Sequence, residues 1–170
     1  MLATLYLSRL IGLYFSKTII EMLRLCPNDN MGQRFWLGSL LIRCGRHADA
    51  LYFAQQWLGE EVRQTGKTLT LGGCNFSAPQ SEFPESTLDE SSFRWASSEI
   101  LHTAALASFK LFGDNPTSRT YLKFAATSNP HILLKILAQV KKPRAFSSIP
   151  DQSPDLHEVH QSTSTTILDQ

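Results

Sequence analysis

Apolar residues recur along this chain at steps of three and four, the period of one helix face. Leu2, Leu5, Tyr6, Leu10 and Leu13, followed by Phe15, Ile19, Met22 and Leu23, predict one long helix or two short ones over residues 2–26. Pro27 ends that run, because the residue before a proline is pushed out of the helical region. Arg34, Leu37 and Leu41, interleaved with Phe35, Gly38 and Ile42, predict a second helix. Asp29 or Asn30 supplies its short polar N-cap. Gly45 follows its last periodic residue, where a left-handed stop favours glycine, and Arg43 and Arg46 suit the negative end of its dipole. A third helix starts near Ala48 and carries Leu51, Ala54 (or Gln55) and Leu58. The second and third helices read as a hairpin, in which the small residues Gly38 and Ala50 let facing helices approach closely.

The period then lapses. Gly59, Gly66, Gly72, Gly73, Pro79 and Pro84 punctuate residues 59–90, a composition of turns and loops. Thr68–Leu71 suits a short extended piece, though a lone strand has nothing to pair with. The stretch reads as a long flexible insertion, or as a segment packing Leu69, Leu71, Phe76 and Phe83 across a groove. Helical period returns over 91–112 with Phe93, Ala96, Ile100, Leu101, Ala104, Ala105, Ser108, Phe109 and Phe112, and Gly113 stops it. Asp89, Glu90 and Glu99 near the start and Lys110 near the end suit the dipole. Asn115-Pro116 opens a further helix with Tyr121, Leu122, Phe124 and Ala125, and Asn129-Pro130 opens another with Ile132, Leu133, Ile136, Leu137 and Val140, closed by Lys141, Lys142 and Pro143. Asparagine caps and proline at the first helical position make both starts explicit. Residues 144–170 are rich in Ser, Thr, Asp and Gln, too poor in apolar groups to offset ordering entropy, and read as disordered.

The chain of 170 residues fits one domain with disordered additions. Its organisation reads as helical hairpins over 1–58, a linker over 59–90, a three-helix segment over 91–143 packing on the first, and a tail over 144–170. Net charge is +1, which names no partner, but its distribution is uneven: +3 over residues 1–57, −4 over 58–91, +6 over 92–146 and −4 over 147–170. The basic stretch 92–146 suits an acidic protein or nucleic acid; equally, its lysines and arginines solvate outer helix faces. The acidic 58–91 linker would mask it by lying over it. Cys26, Cys44 and Cys74 are scattered and odd in number, which fits a reducing, intracellular setting (cytoplasmic or nuclear) rather than a disulfide framework; Cys26 and Cys44 suit small apolar positions on or beside buried helix faces. Arg9, Lys17, Glu21 and Arg24 interrupt the apolar N-terminal run, so no membrane span is expected. That the chain starts almost inside its first helix suggests a missing upstream partner helix or a truncated gene model.

Candidate chemistry is sparse. Cys44-x-x-His47 and His157-x-x-His160 have metal-like spacing, but neither brings the second pair that a closed zinc site needs. No nucleophile elbow is present, Gly72-Gly73 is too short to cradle a phosphate, and Glu60-Glu61 reads as a solvated helix end. No catalytic residue, metal or cofactor is therefore expected. A convergent polar pocket formed by Arg34, His102 and Arg119 would argue otherwise.

Leu37-Gly38, Leu41, Gly45 and Ala50 have the relative spacing of core positions in the tetratricopeptide repeat, and this unit resembles that family. Phe109, Gly113, Leu122, Ala125 and Pro130 resemble it again. The first unit departs from the pattern: Arg34 stands where tryptophan is frequent, Ala54 and Trp57 reverse the usual large-then-small order, and Val62 replaces a closing proline. The segment Leu23 to Arg34 is also similar to uncharacterised fungal helical-repeat proteins, some of which carry a MYND-type zinc finger; three scattered cysteines cannot build that finger here. The resemblance implies an all-α fold of antiparallel hairpins stacked in a short array, acting as a non-enzymatic scaffold or adaptor that binds a protein or peptide. Arg34, Trp36, Trp57 and Arg119 are the residues that would line its groove, since Trp and Arg are favoured contacts; both tryptophans also suit the core. The alternatives are nucleic-acid or acidic-partner binding through 92–146, and a fragment whose function belongs to a longer protein.

Overall fold

The computed structural model describes residues 2–59, 68–82 and 96–140, with side chains for 10–59, 68–82 and 96–138. Helix α1 spans Leu2–Leu25, α2 Arg34–Arg43, α3 His47–Leu58, α4 Ser98–Phe112, α5 Pro116–Ser128 and α6 Pro130–Val140, with a 3-10 turn at Thr70–Gly73 before α4. Among the described residues there is no strand, and the all-α class expected from the pattern is what the chain adopts. The chain divides into two units, residues 1–134 and 135–170. The packing below is that of the first; of the second, only the end of α6 is described.

Single residues set the helix ends. After α2, Gly45 takes φ +78. Its N–H bonds to the Ile42 carbonyl at 2.9 Å and the Arg46 N–H bonds to the Leu41 carbonyl at 2.8 Å. That double bond pattern closes the helix with a left-handed glycine. At α5, the Asn115 side chain accepts from the Ser118 N–H at 2.7 Å and the Ser118 hydroxyl accepts from the Asn115 N–H at 3.2 Å. Pro116 occupies the first helical position, where its missing N–H costs nothing.

The connections after α2 and α4 are three residues long, so the helix pairs α2–α3 and α4–α5, packed along their lengths, must reverse direction. Helix α1 packs on α2, α3 on α4, and α2 also reaches α4. Leu23, Leu37, Leu41, Leu51, Phe53, Leu101 and Tyr121 are all buried in one cluster. Residues 1–58 and 96–128 therefore share a core. Each large apolar side chain so buried contributes about 1.5–3 kcal/mol relative to exposure.

Gly38 performs a different task from the one expected. A Cβ built there would lie 2.6 Å from Cγ2 of Thr103, so the close approach it permits is between α2 and α4, across the two hairpins. Thr103 cannot easily swing away, because its hydroxyl donates to the Glu99 carbonyl at 2.8 Å. In α3 the small residues facing the core are Ala50 and Ala54, both fully buried.

Other expectations shift. Helix α4 begins at Ser98; Ala96 and Ser97 precede it, and Ser97 is the N-cap, with an extended backbone and a side chain that accepts the Ile100 N–H. Phe93, Phe83, Glu60, Glu61, Lys141 to Pro143 and the tail 144–170 lie outside the described residues. Thr68–Leu71 is not an extended piece, since Leu71 and Gly72 both adopt left-handed φ, +52 and +62. That bend turns Leu71 outward and seats Gly72 against α1, where a Cβ would lie 2.6 Å from the Leu23 carbonyl oxygen. Phe109, Phe112 and Leu122, read as parts of apolar stripes, are exposed, as are Leu10, Ile11, Tyr14 and Phe15 along one face of α1.

Gly38→Ala is expected to lower stability despite a helix-propensity gain of up to about 1 kcal/mol, because overpacking at a rigid contact costs about 1–3 kcal/mol. In the Thr103→Ala background the same change is expected to be neutral or stabilising. Urea unfolding of the four chains measures the coupling; additive effects would remove Thr103 as the cause.

Candidate functional site

The turn between α1 and α2 is built around Asp29. Its φ is +50, a left-handed conformation that aspartate tolerates better than most residues. Its carboxylate accepts the N–H of Gln33 at 2.6 Å and of Arg34 at 3.0 Å, and its side chain is 1% exposed. A buried anion thus satisfies two of the free donors at the start of α2 and complements the helix dipole. The expected cap at Asp29 is the right residue acting from further back, since Gln33 holds the cap position without a side-chain bond.

Arg34 leaves that turn toward α3. Its guanidinium lies 3.7 Å from Oδ2 of Asp29 and 4.7 Å from the ring centres of both Phe35 and Trp57. Cation–π contacts of this kind contribute about 0.5–1 kcal/mol each at partly exposed sites, and the long ion pair adds about 0–1 kcal/mol. Trp57 is half-buried, edge-on to Phe53 at 6.3 Å. Its Nε1 is buried without a hydrogen-bond partner among the described residues, facing Gly73, whose Cβ would lie 3.2 Å away.

Arg34 and Trp57 are therefore in contact, as parts of the hairpin's own structure. Trp36 lies elsewhere: it is 66% exposed, which removes the core reading weighed beside its role as a contact residue. The reason is angular. Helix α2 buries Leu37, Gly38 and Leu41, and position 36 sits about 100° around the helix from position 37. Met31 and Phe35, near it in sequence, are also exposed. Arg119 projects into solvent and is held bidentately by Asp114 at 2.6 Å. That contact raises the Arg119 pKa and lowers that of Asp114. His102 turns its Nδ1 to the Ser98 carbonyl at 2.9 Å. Each member of the hypothetical Arg34–His102–Arg119 pocket thus has a separate partner.

Spacing gave no hint of a second set of contacts, because its members are distant in sequence. Residues 74–82 lie along α3 as a strap. Arg24 Nη2 donates to the Cys74 carbonyl at 3.3 Å, and Thr68 donates to the Asn28 side chain. The Phe76 ring stands edge-on to Tyr52 at 6.4 Å and 5.2 Å from the Arg46 guanidinium. The Gln55 amide donates to the Gln80 carbonyl at 2.8 Å and accepts the Gln80 N–H at 3.0 Å. Leu69 and Phe76 thus pack as one reading of this stretch anticipated, whereas Leu71 does not.

Among the described residues no group of three or more His, Cys, Asp or Glu is placed to hold a metal. His157 and His160 lie outside them. Cys44 is buried, its sulfur 3.1 Å from where a Gly12 Cβ would stand. No described helix is long and apolar enough to cross a membrane. Comparison with protein-family models, with curated proteins and with solved structures finds no match to the chain.

Two predictions follow from this geometry. Asp29→Ala leaves two helix donors without their acceptor and is expected to cost about 2 kcal/mol, more than Arg34→Leu at about 1 kcal/mol; urea midpoints at constant m give the order. The three cysteines should separate by reactivity. Burial pushes the Cys74 thiol up to about 12, leaving almost no thiolate at pH 8, and Cys44 is also buried. Iodoacetamide on the folded chain should alkylate Cys26 alone, with the others reacting only in denaturant, as read by peptide mass spectrometry.

Proposed function

We propose that this chain is a non-enzymatic helical scaffold that binds another protein, and that the outer side of α2 is a contact surface. The observation that carries the reading is Trp36, 66% exposed, with Phe35 and Met31, its near neighbours in sequence, also exposed. An isolated exposed leucine needs no explanation, but large side chains grouped in water favour a partner that covers them. Tryptophan is the residue type most enriched among energetically dominant contacts. The stacking of hairpin on hairpin supports the scaffold part of the reading, because such arrays present side chains from rigid helices.

The nucleic-acid alternative would draw on residues 92–146. Of the cations described there, Arg119 is already neutralised by Asp114, which leaves Lys110, Lys123 and Lys135 dispersed over three helices. No observation on these helices favours that reading over the first.

Replacing Trp36 by the photo-crosslinker p-benzoylphenylalanine in cells that express the chain is expected to give a discrete, saturable protein adduct. The same replacement at exposed Lys123 is the control. Excess unlabelled wild-type chain should compete the adduct away and a Trp36→Asp chain should not. Adducts of equal yield at both positions, or none at position 36, would count against this surface.

A further inference from the structure

We propose that the α3 face formed by Arg46, Tyr52 and Gln55 is a binding site for an extended peptide with an aromatic side chain, and that residues 76–80 occupy it in cis. The site is distinct from the Trp36 surface, and neither depends on the other.

Gln55 holds the segment by its main chain. Its amide both donates to and accepts from the backbone of one residue, Gln80. This is the hydrogen-bond pair that a neighbouring strand would offer, supplied by a side chain. It reads main chain rather than side chain, so any non-proline residue could stand at position 80. Recognition of extended peptides commonly divides in this way, with main-chain bonds holding the segment and a pocket selecting one side chain. Here the selective element is the seat of Phe76, an aromatic edge from Tyr52 on one side and the Arg46 guanidinium on another. Either contact accepts any aromatic ring.

The seat is fixed independently of its occupant. Arg46 is held by Asp49 through a 2.7 Å ion pair. Gln55 is also hydrogen-bonded to Tyr121 of α5, a side chain almost wholly buried. A site whose side chains are already oriented loses little freedom on binding.

The occupant, in contrast, changes character at Cys74. Up to that point the segment belongs to the fold: Gly72, Gly73 and Cys74 are buried, and Gly72 touches the backbone of Leu23. Beyond it, Asn75, Ser77, Ala78 and Gln80 are exposed, Phe76 and Pro79 are half-buried, and the segment forms no regular structure. Pro79 holds its own stretch open, since it fixes its φ and disfavours a helical Ala78. Phe76, half-buried against the edge of the core cluster, and the Gln80 backbone thus hold a segment without regular structure on a prepared surface. Segments held by few buried contacts open more readily than the core. A tethered occupant competes at an effective concentration of order millimolar, so a peptide in trans meets a face that is mostly filled.

The test uses the full chain and a fluorescein-labelled peptide of residues 75–82, followed by fluorescence anisotropy. The wild-type chain should bind it weakly. Phe76→Ala with Gln80→Pro removes the ring contacts and the backbone N–H that Gln55 accepts, leaving only the residue 80 carbonyl as a partner, and is expected to tighten binding at least tenfold. Adding Gln55→Ala to that chain, or replacing the phenylalanine of the peptide by alanine, should reverse the gain. Equal affinity for the wild-type and strap-released chains, or a gain that survives Gln55→Ala, overturns the proposal. So does the absence of binding to a strap-released chain that keeps its helical circular dichroism. Should the double variant lose that signal, Gln80→Pro alone carries the test, with a gain of a few fold expected and no gain overturning it.

Discussion

The approach of α2 to α4 depends on one contact that leaves no room for a side chain. Where α2 crosses α4, Gly38 meets Thr103 with no space for a methyl group between them. Helices that approach this closely bury the residues flanking the crossing, and Leu37 and Leu41 on one side and Leu101 and Ala104 on the other are all fully buried. Without that approach α2 would keep part of its apolar face in water, while α3 would still pack on α4. Glycine in a helix carries an entropic penalty of roughly 0.5–1 kcal/mol, and burial of four such neighbours exceeds it several times over at about 25 cal/mol per Å².

The same crossing decides what faces out. With 37, 38 and 41 committed to α4 and the core, Trp36 has no inward position left on a helix of this pitch. Arg34 is drawn instead toward α3, where Trp57 offers the face of its ring. Asp29 holds the start of α2 in register for both outcomes. The aromatic surface and the Arg34–Trp57 contact are thus two results of one orientation of α2, fixed at its N-terminus by a carboxylate and at its middle by a missing Cβ.

Features set by the chemistry of one or two residues could be read directly from the chain. Pro27, Gly45, Asn115-Pro116 and Asn129-Pro130 each mark a helix boundary because each imposes a backbone angle or a cap. The buried stripe of α2 was also plain at Leu37 and Leu41. The partner of each face was not. Positions 34, 37 and 41 together with 35, 38 and 42 cover nearly half the circumference of α2, and periodicity cannot say which edge of so wide a stripe turns outward. Trp36 was ambiguous for that reason, and Gly38 was assigned to α3 rather than α4. The strap was less visible still: Arg46 with Phe76 and Gln55 with Gln80 join residues that share no period, and an amide facing a backbone leaves no compositional trace.

Both hairpins close over three-residue turns, each complete without help from the chain that runs between them. The length of that connecting chain is therefore only weakly constrained. The entropy of closing a loop grows with the logarithm of its length, and doubling it costs only about 0.6 kcal/mol. Relatives could lengthen or shorten the stretch between α3 and α4 by many residues and keep the seam at Gly38, provided Gly72 still reaches α1. Insertion is the change this architecture tolerates best, and the connection is where new segments could be acquired without refolding the rest.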